Sequence, residues 1–449
     1  MAAKISRVTL SRELSRRRGA LGTLLLLGAL LGGCQPSAEP SMPTSEPAGS
    51  PPAVTPHAAT PPSSPSATPA ATAVEATPTA TPSGPVWTPI TDFPADGAVE
   101  VTGVAAWASG FVAVGYEPAP GDGRRQGVVW QSADGLSWAR SSDDVFAEVT
   151  LLDVVANGDR LYVFGQRSVC QLLEECVELP DAGVAGWTSD DGQQWQPLSL
   201  PPSMVGGEFD GAVGAAGALV VHGSSGEELL PTVWSSADGQ AWAETRELAG
   251  LETISALTIG DGRLVAFAAQ YLVEQDREVT MAAYAEGGAF APTSLPAGID
   301  WRMESVAHGP AGFVAVGFDE DIDAGQLSAA TLISADGASW LAPAAGRPPN
   351  VGFHVVLPIA SGYVAIGFVP VASDLGRETG LSWWSADGNA WQELGQLGDA
   401  SYRQLSDAAA GGAGIVVFAL DFEEADDEDL PVDQPGTIYA WHAPLAALP

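Results

Sequence analysis

The stretch with the clearest chemical capacity is Asp319-Glu320-Asp321-Ile322-Asp323-Ala324-Gly325. Alternating carboxylates are hard oxygen donors, and Asp319, Asp321 and Asp323 together suit a cation such as Ca²⁺. The match to an EF-hand loop is partial, because its glycine position holds Ala324 and its terminal glutamate position Ala330. A solvated acidic loop is the competing reading, and it applies equally to the charge block from Glu423 to Asp429. Cys170 and Cys176 lie in one polar stretch, Gln166 to Asp181, and in an exported chain such a pair points to a local disulfide. Free thiols or a metal pair are the alternatives. His57, His222, His308, His354 and His442 show no metal-binding spacing, and His222 and His308 stand in apolar strand patterns as structural side chains. No phosphate-cradling glycine loop, nucleophile elbow or cysteine metal motif occurs, so no catalytic residue is assigned.

The elements that would position such groups are legible from a recurring heptapeptide. Ser132-Ala133-Asp134-Gly135-Leu136-Ser137-Trp138 returns at Ser236 to Trp242, Ser334 to Trp340 and Ser385 to Trp391, with weaker copies at Ser189 to Trp195 and Tyr284 to Phe290. The pairs Asp134-Gly135, Asp191-Gly192, Asp238-Gly239, Asp336-Gly337 and Asp387-Gly388 suit tight turns. The carboxylate accepts backbone N–H groups, and glycine takes a positive φ without strain. Each turn follows an apolar strand and leads through a Trp into another. A companion strand recurs as Gly110 to Gly115, Gly312 to Gly317 and Gly362 to Gly367, with further copies at Leu161, Ala218, Leu264 and Ile415. A run of small apolar residues precedes each companion.

Four strands in a unit of about fifty residues, repeated seven times, predict an all-β, seven-bladed β-propeller of four-stranded blades. The seventh repeat stops after Thr437 to Trp441 without an Asp-Gly turn, whereas Trp87-Thr88-Pro89-Ile90 matches Trp195-Gln196-Pro197-Leu198. The N-terminal strand is therefore expected to close the last blade and remove the open sheet edges.

The turn motif resembles the Asp-box, or BNR repeat, of sialidase-like propellers, although here Asp and Gly are adjacent instead of separated by one residue. The resemblance covers five or six turns and implies fold more than activity. Sialidase chemistry would require an arginine triad, an acid/base carboxylate and a Tyr-Glu nucleophile pair. None of the arginines from Arg124 to Arg403 stands in the Arg-Ile-Pro context of those enzymes.

The N-terminus supplies an address. Arg12, Arg16, Arg17 and Arg18 precede the apolar run Leu21 to Leu31, which is too short to span a bilayer comfortably. Leu31-Gly32-Gly33-Cys34 resembles the lipobox of bacterial lipoproteins, which implies that Cys34 is lipidated and becomes the mature N-terminus. Residues 1–33 read as the signal peptide and 34–85 as a disordered tether of Pro, Ser, Thr and Ala, with the propeller over 86–449. The expected location is extracytoplasmic, attached to the bacterial membrane by N-terminal lipid.

The formal net charge is −37, and the only lysine, Lys4, lies in the signal segment. So acidic a field disfavours nucleic acid and leaves the lipid anchor as the only expected membrane contact. The second-to-third loops of the blades differ in length and sequence, which is how a repeated scaffold presents a binding surface. These features lead to a monomeric binding or scaffolding module for an envelope or extracellular protein or a glycan. The alternative is a carbohydrate-active enzyme, a glycoside hydrolase or lyase, using carboxylates near the propeller axis.

Overall fold

The computed structural model describes residues 86–449 apart from 96–98, 108–109, 119–124, 142–143, 168, 171–175, 178–182, 216, 227, 247, 249, 252, 273–276, 322–325, 344–346, 372–375 and 422–435. The signal segment, Cys34, the tether, Asp323 and the acidic block from Glu423 to Asp429 lie outside the described residues. For Cys170, Cys176 and Asp321 the backbone alone is described.

The chain forms a seven-bladed β-propeller. In chain order the blades start with the strands Glu100–Trp107, Thr150–Asn157, Glu208–Ala215, Ala256–Gly260, Arg302–Gly309, Gly352–Ile359 and Gln404–Gly411, and are called blades 1 to 7. Within each blade successive strands pair antiparallel, and the first strands of adjacent blades meet in an unbroken circuit around the axis. The hairpins between first and second strands and those between third and fourth strands share one face, here the turn face. The second-to-third connections share the opposite face, the rim.

Blade 7 is closed as the sequence predicts. Thr88–Pro89 pairs with Thr437–Ala443, Thr88 opposite His442 and Pro89 opposite Trp441, and the Ile90 N–H continues the ladder to the Ala440 carbonyl at 2.8 Å. Blade 5 departs from the four-stranded expectation. Its regular strands are Gly312–Asp321 and Gln326–Ser334 beside the inner one, and among the described residues the fourth is reduced to two isolated bridges, Ile333 with Leu341 and Ser328 with Pro349. Pro343, Pro348 and Pro349 follow, and proline has no N–H to give to a ladder.

The core lies between blades. The turn Trp of a blade packs on the blade before it: Trp138 meets Phe418 edge-on at 5.4 Å, and Trp340 meets Phe267 at 4.8 Å. Trp87, at the N-terminus of the closing strand, occupies the same role. It is 4% exposed, packs with Leu357, Val364 and Leu394 of blade 6, and donates its indole N–H to Ser382 Oγ at 2.8 Å.

Six inner strands carry a β-bulge at one repeat position, leaving Thr102, Leu152, Asp210, Glu304, His354 and Ser406 as the extra residue. The companion strand opposite the bulge offers a residue without bulk. A Cβ on Gly317 would stand 1.8 Å from the Arg302 carbonyl oxygen, so glycine is a steric requirement at this place in blade 5, whereas blade 7 accommodates Ala419 opposite its bulge. The bulge also frees side chains to join blades. Asp153 accepts the Ala212 N–H at 3.0 Å, Asp407 accepts the Val104 N–H at 2.9 Å, and Ser305 accepts that of Val356 at 3.2 Å.

Candidate functional site

The two faces differ in kind. On the turn face the Asp134 carboxylate accepts the N–H groups of Leu136 at 2.9 Å and Ser137 at 2.7 Å, while Ser132 Oγ accepts that of Gly135 at 2.8 Å. Asp191, Asp336 and Asp387 accept from the residue two positions on at 2.8 to 2.9 Å, as does Asp238. Gly135, Gly192, Gly239, Gly337 and Gly388 all have φ between 69° and 77°. Backbone donors hold the Asp134 carboxyl at about 2, with lesser help from Ser132 and Ser137. The carboxylate and the serine hydroxyl of this motif are engaged with the backbone of their own turn, and the Asp191, Asp238 and Asp336 carbonyls accept from Gln131, Tyr162 and Arg263 of neighbouring blades, so these groups serve the scaffold.

The rim gathers ionic groups where the sequence showed no motif. Arg302 and the bulge residue Glu304 open blade 5 as an ion pair at 2.5 Å, with Glu304 only 7% exposed. In blade 6 the bulge residue His354 meets Glu378 at 2.9 Å and stacks on Phe368 at 4.3 Å. Burial works to lower the His354 pKa, but the Glu378 carboxylate, its hydrogen bond and the charge of Glu304 outweigh this and raise it. Arg377 crosses from blade 6 to blade 7, donating to Asp421 at 2.6 Å and to Ser401 at 3.3 Å. Tyr402, paired with Glu378 across the sheet, is fully buried, and its hydroxyl finds no hydrogen-bond partner among the described residues. Burial first, and then the Glu378 charge, push its pKa well above the ordinary phenol value.

Asp319 and Asp321 are placed at the rim end of the strand Gly312–Asp321, opposite Ser328 and Gln326, rather than in a free loop. Asp319 accepts from Arg347 at 2.8 Å, and that guanidinium also lies 4.7 Å from the Trp301 ring. A cation there would have to displace the guanidinium first. Among the described residues no group of three or more His, Cys, Asp or Glu side chains is placed to hold a metal. The backbone of the rim excursion in blade 2 sets Cys170 directly opposite Cys176 in a short antiparallel ladder with Val169 opposite Val177. His222 is buried in its strand and His308 contacts Asp261 at 3.1 Å on the turn face, so neither joins the rim cluster.

A concavity of about 460 Å³ opens near the turn face of blade 3, beside Trp242, Ser235 and Ser236. Its remaining walls are alanine and glycine, so it offers a ligand few polar anchors and lies away from the ionic cluster.

The residues that sequence reasoning missed are Arg302, Glu304, His354, Glu378, Arg377 and Asp421. One signal was present: aligned on their companion strands, Glu304 and His354 fall at the same position as Thr102 and Asp210, a polar site just ahead of the small apolar run. Their acidic or basic partners come from other strands and carry no local pattern.

No known family profile matches the chain, and no curated protein matches it. Among solved structures it is similar to YCF48 bound to D1 peptide, with 13% identity over 80% of this chain and 96% of that one and a TM-score of 0.46. A protein of unknown function from Dyadobacter fermentans aligns at 14% identity over 78% of this chain and 96% of its own, with a TM-score of 0.40. Zg3597, a family 117 glycoside hydrolase of the marine bacterium Zobellia galactanivorans, aligns at 9% identity over 80% and 90%, with a TM-score of 0.32. YCF48 and Zg3597 are β-propellers.

Proposed function

We propose that the chain is a lipid-anchored extracytoplasmic propeller that binds a protein or glycan on its rim and serves as a binding or scaffolding module. The observation that carries this reading is the division of labour between the faces. Turn residues are repetitive and bonded within the scaffold, whereas the rim combines divergent connections with the paired ionic groups of blades 5 to 7. Half-buried pairs such as Arg302–Glu304 and Arg377–Asp421 contribute little net stability but hold side chains in one geometry. A rigid polar surface of that kind suits recognition. Glycosidase chemistry would need two carboxylates across an open cleft. Glu304 and Glu378 instead lean on Arg302 and His354, which favours binding over hydrolysis.

The test is a screen of the purified mature chain against a glycan array and an envelope-protein extract, run beside an assay for glycoside cleavage on the same glycans. Saturable retention of one class without cleavage is expected. Turnover of a glycan would replace the binding reading with the enzymatic one.

A further inference from the structure

Five turns of the propeller are seated in the blade before them. A Cβ on Gly135 would stand 2.6 Å from His442 of blade 7, one on Gly192 2.2 Å from Gln131 of blade 1, and one on Gly239 2.8 Å from Tyr162 of blade 2. Gly337 and Gly388 press in the same way on Val265 of blade 4 and Val314 of blade 5, at 2.6 Å each. Three seats also give a hydrogen bond to the turn backbone. Gln131 Nε2 donates to the Asp191 carbonyl at 3.4 Å, the Tyr162 hydroxyl to that of Asp238 at 3.2 Å, and Arg263 to that of Asp336.

Blade 4 breaks the series. Its turn reads Glu286-Gly287-Gly288 in place of Asp-Gly, both glycines are exposed, and a Cβ on either would meet nothing within 4 Å. Glu286 is held by Arg263 of its own blade at 3.3 Å. Of this motif copy, Phe290 alone enters the interface, where it packs with Val220 and Val233 of blade 3 in the place of the turn Trp. The seat on blade 3 is therefore left open, and the concavity of about 460 Å³ lies there. Ser235 forms its wall with Ala218, Ala237 and Ala243. It follows Trp234 as Gln131 follows Trp130 and His442 follows Trp441, and those two receive the turns of blades 2 and 1. Ser235 is half-buried, and its hydroxyl makes no hydrogen bond among the described residues.

We propose that this seat binds a tight Asp-Gly turn of another protein, the occupant that its five counterparts receive from within the chain. The seat continues the interface between blades 3 and 4, and its neutral walls suit such a turn. An aspartate of this motif arrives with its carboxylate already bonded to its own backbone, as Asp134 is to Leu136 and Ser137, and so needs no cation from the seat. Its carbonyl would accept from Ser235, as that of Asp191 does from Gln131. A volume of this size falls in the range of roughly 300–1,000 Å³ common for ligand sites. The Asp-Gly turns of blades 1, 2, 3, 5 and 6 are themselves seated, so the occupant comes from a different protein. The seat lies outside the rim, and its binding is independent of the rim reading above.

The probe is a backbone-cyclised peptide carrying residues 132–137, added to the purified full chain and followed by saturation-transfer NMR. Saturable binding is expected. It should weaken at least about tenfold for a Gly135→Val peptide, whose added side chain cannot enter the seat, and for a chain carrying Ala243→Arg, which fills the seat from the exposed outer strand. Where Ala243→Arg melts below the parent, a benzophenone on the peptide reports the site in the native chain, and its adducts are mapped by mass spectrometry. Adducts confined to residues 215–245 support the proposal. No saturable binding, equal binding of the Gly135→Val peptide, unchanged binding by a folded Ala243→Arg chain, or adducts on other blades each overturn it.

Discussion

Replacing Trp87 with alanine removes the side chain that fastens the closing strand to blade 6. Trp87 is 4% exposed in a cluster with Leu357, Val364, Ile366 and Leu394, and its indole N–H reaches Ser382 Oγ at 2.8 Å. Truncation of a buried Trp costs about 3–5 kcal/mol through lost burial and the cavity left behind. Ser382 keeps its own bond to the Gly395 carbonyl, so no hydroxyl is orphaned and the lower half of that range applies, about 3–4 kcal/mol. At about 2.1 cal/mol/K per residue, unfolding residues 86–449 carries an entropy on the order of 0.8 kcal/mol/K, so the melting temperature should fall by about 4–5 °C. The assay is thermal and urea unfolding followed by Trp fluorescence and far-UV circular dichroism. Trp87→Phe should recover part of the loss. A melting temperature within 1 °C of the parent, a bound set at roughly one quarter of the expected shift, would show that the strand contributes nothing to closure and refute the reasoning.

Gly135→Ala should destabilise more than Asp134→Ala. The alanine Cβ meets His442 at 2.6 Å from a backbone with φ of 77°, whereas losing the carboxylate removes only an exposed turn cap worth about 1 kcal/mol; urea midpoints decide the order. The raised pKa of His354 means its pairing with Glu378 stabilises fully below the unfolded value of about 6.5 and fades as pH rises through the folded value. His354→Gln should therefore lose more stability at pH 5.5 than at pH 8.5, and an equal loss at both would contradict the pairing. Cys170 and Cys176 should appear as one linked peptide in a non-reducing digest, because directly opposed antiparallel residues hold Cα atoms within disulfide range; two alkylated free thiols would contradict it.

The fold was readable because each blade spends a glycine where geometry leaves no choice: Gly135 at a positive φ, Gly317 opposite a bulge. Such residues recur at fixed spacing and survive divergence between repeats. The ionic cluster was not readable, since the partnership of Arg377 with Asp421 spans 44 positions and two blades, and that of His354 with Glu378 joins strands that are not hydrogen-bonded neighbours. The bulge that turns Glu304 and His354 toward these partners shifts side-chain alternation by one residue, which a period-two reading of the strand cannot register. The missing fourth strand of blade 5 was hidden for the opposite reason. Its Trp340 is present and 3% exposed, so the motif looked complete although the prolines beyond it leave only isolated bridges in place of a regular strand.

The central claim is that the rim binds and the turn face supports. It is tested most directly by titrating the first glycan or envelope protein retained in the screen against two sets of variants, Arg377→Ala and a shortened Gln166-to-Asp181 loop on the rim, Asp336→Ala and Asp387→Ala on the turns. The account predicts that rim variants lose at least about tenfold in affinity, the equivalent of 1.4 kcal/mol, while turn variants bind as the parent does. Affinity lost in the turn variants with the rim variants unchanged would place the site on the opposite face and contradict it.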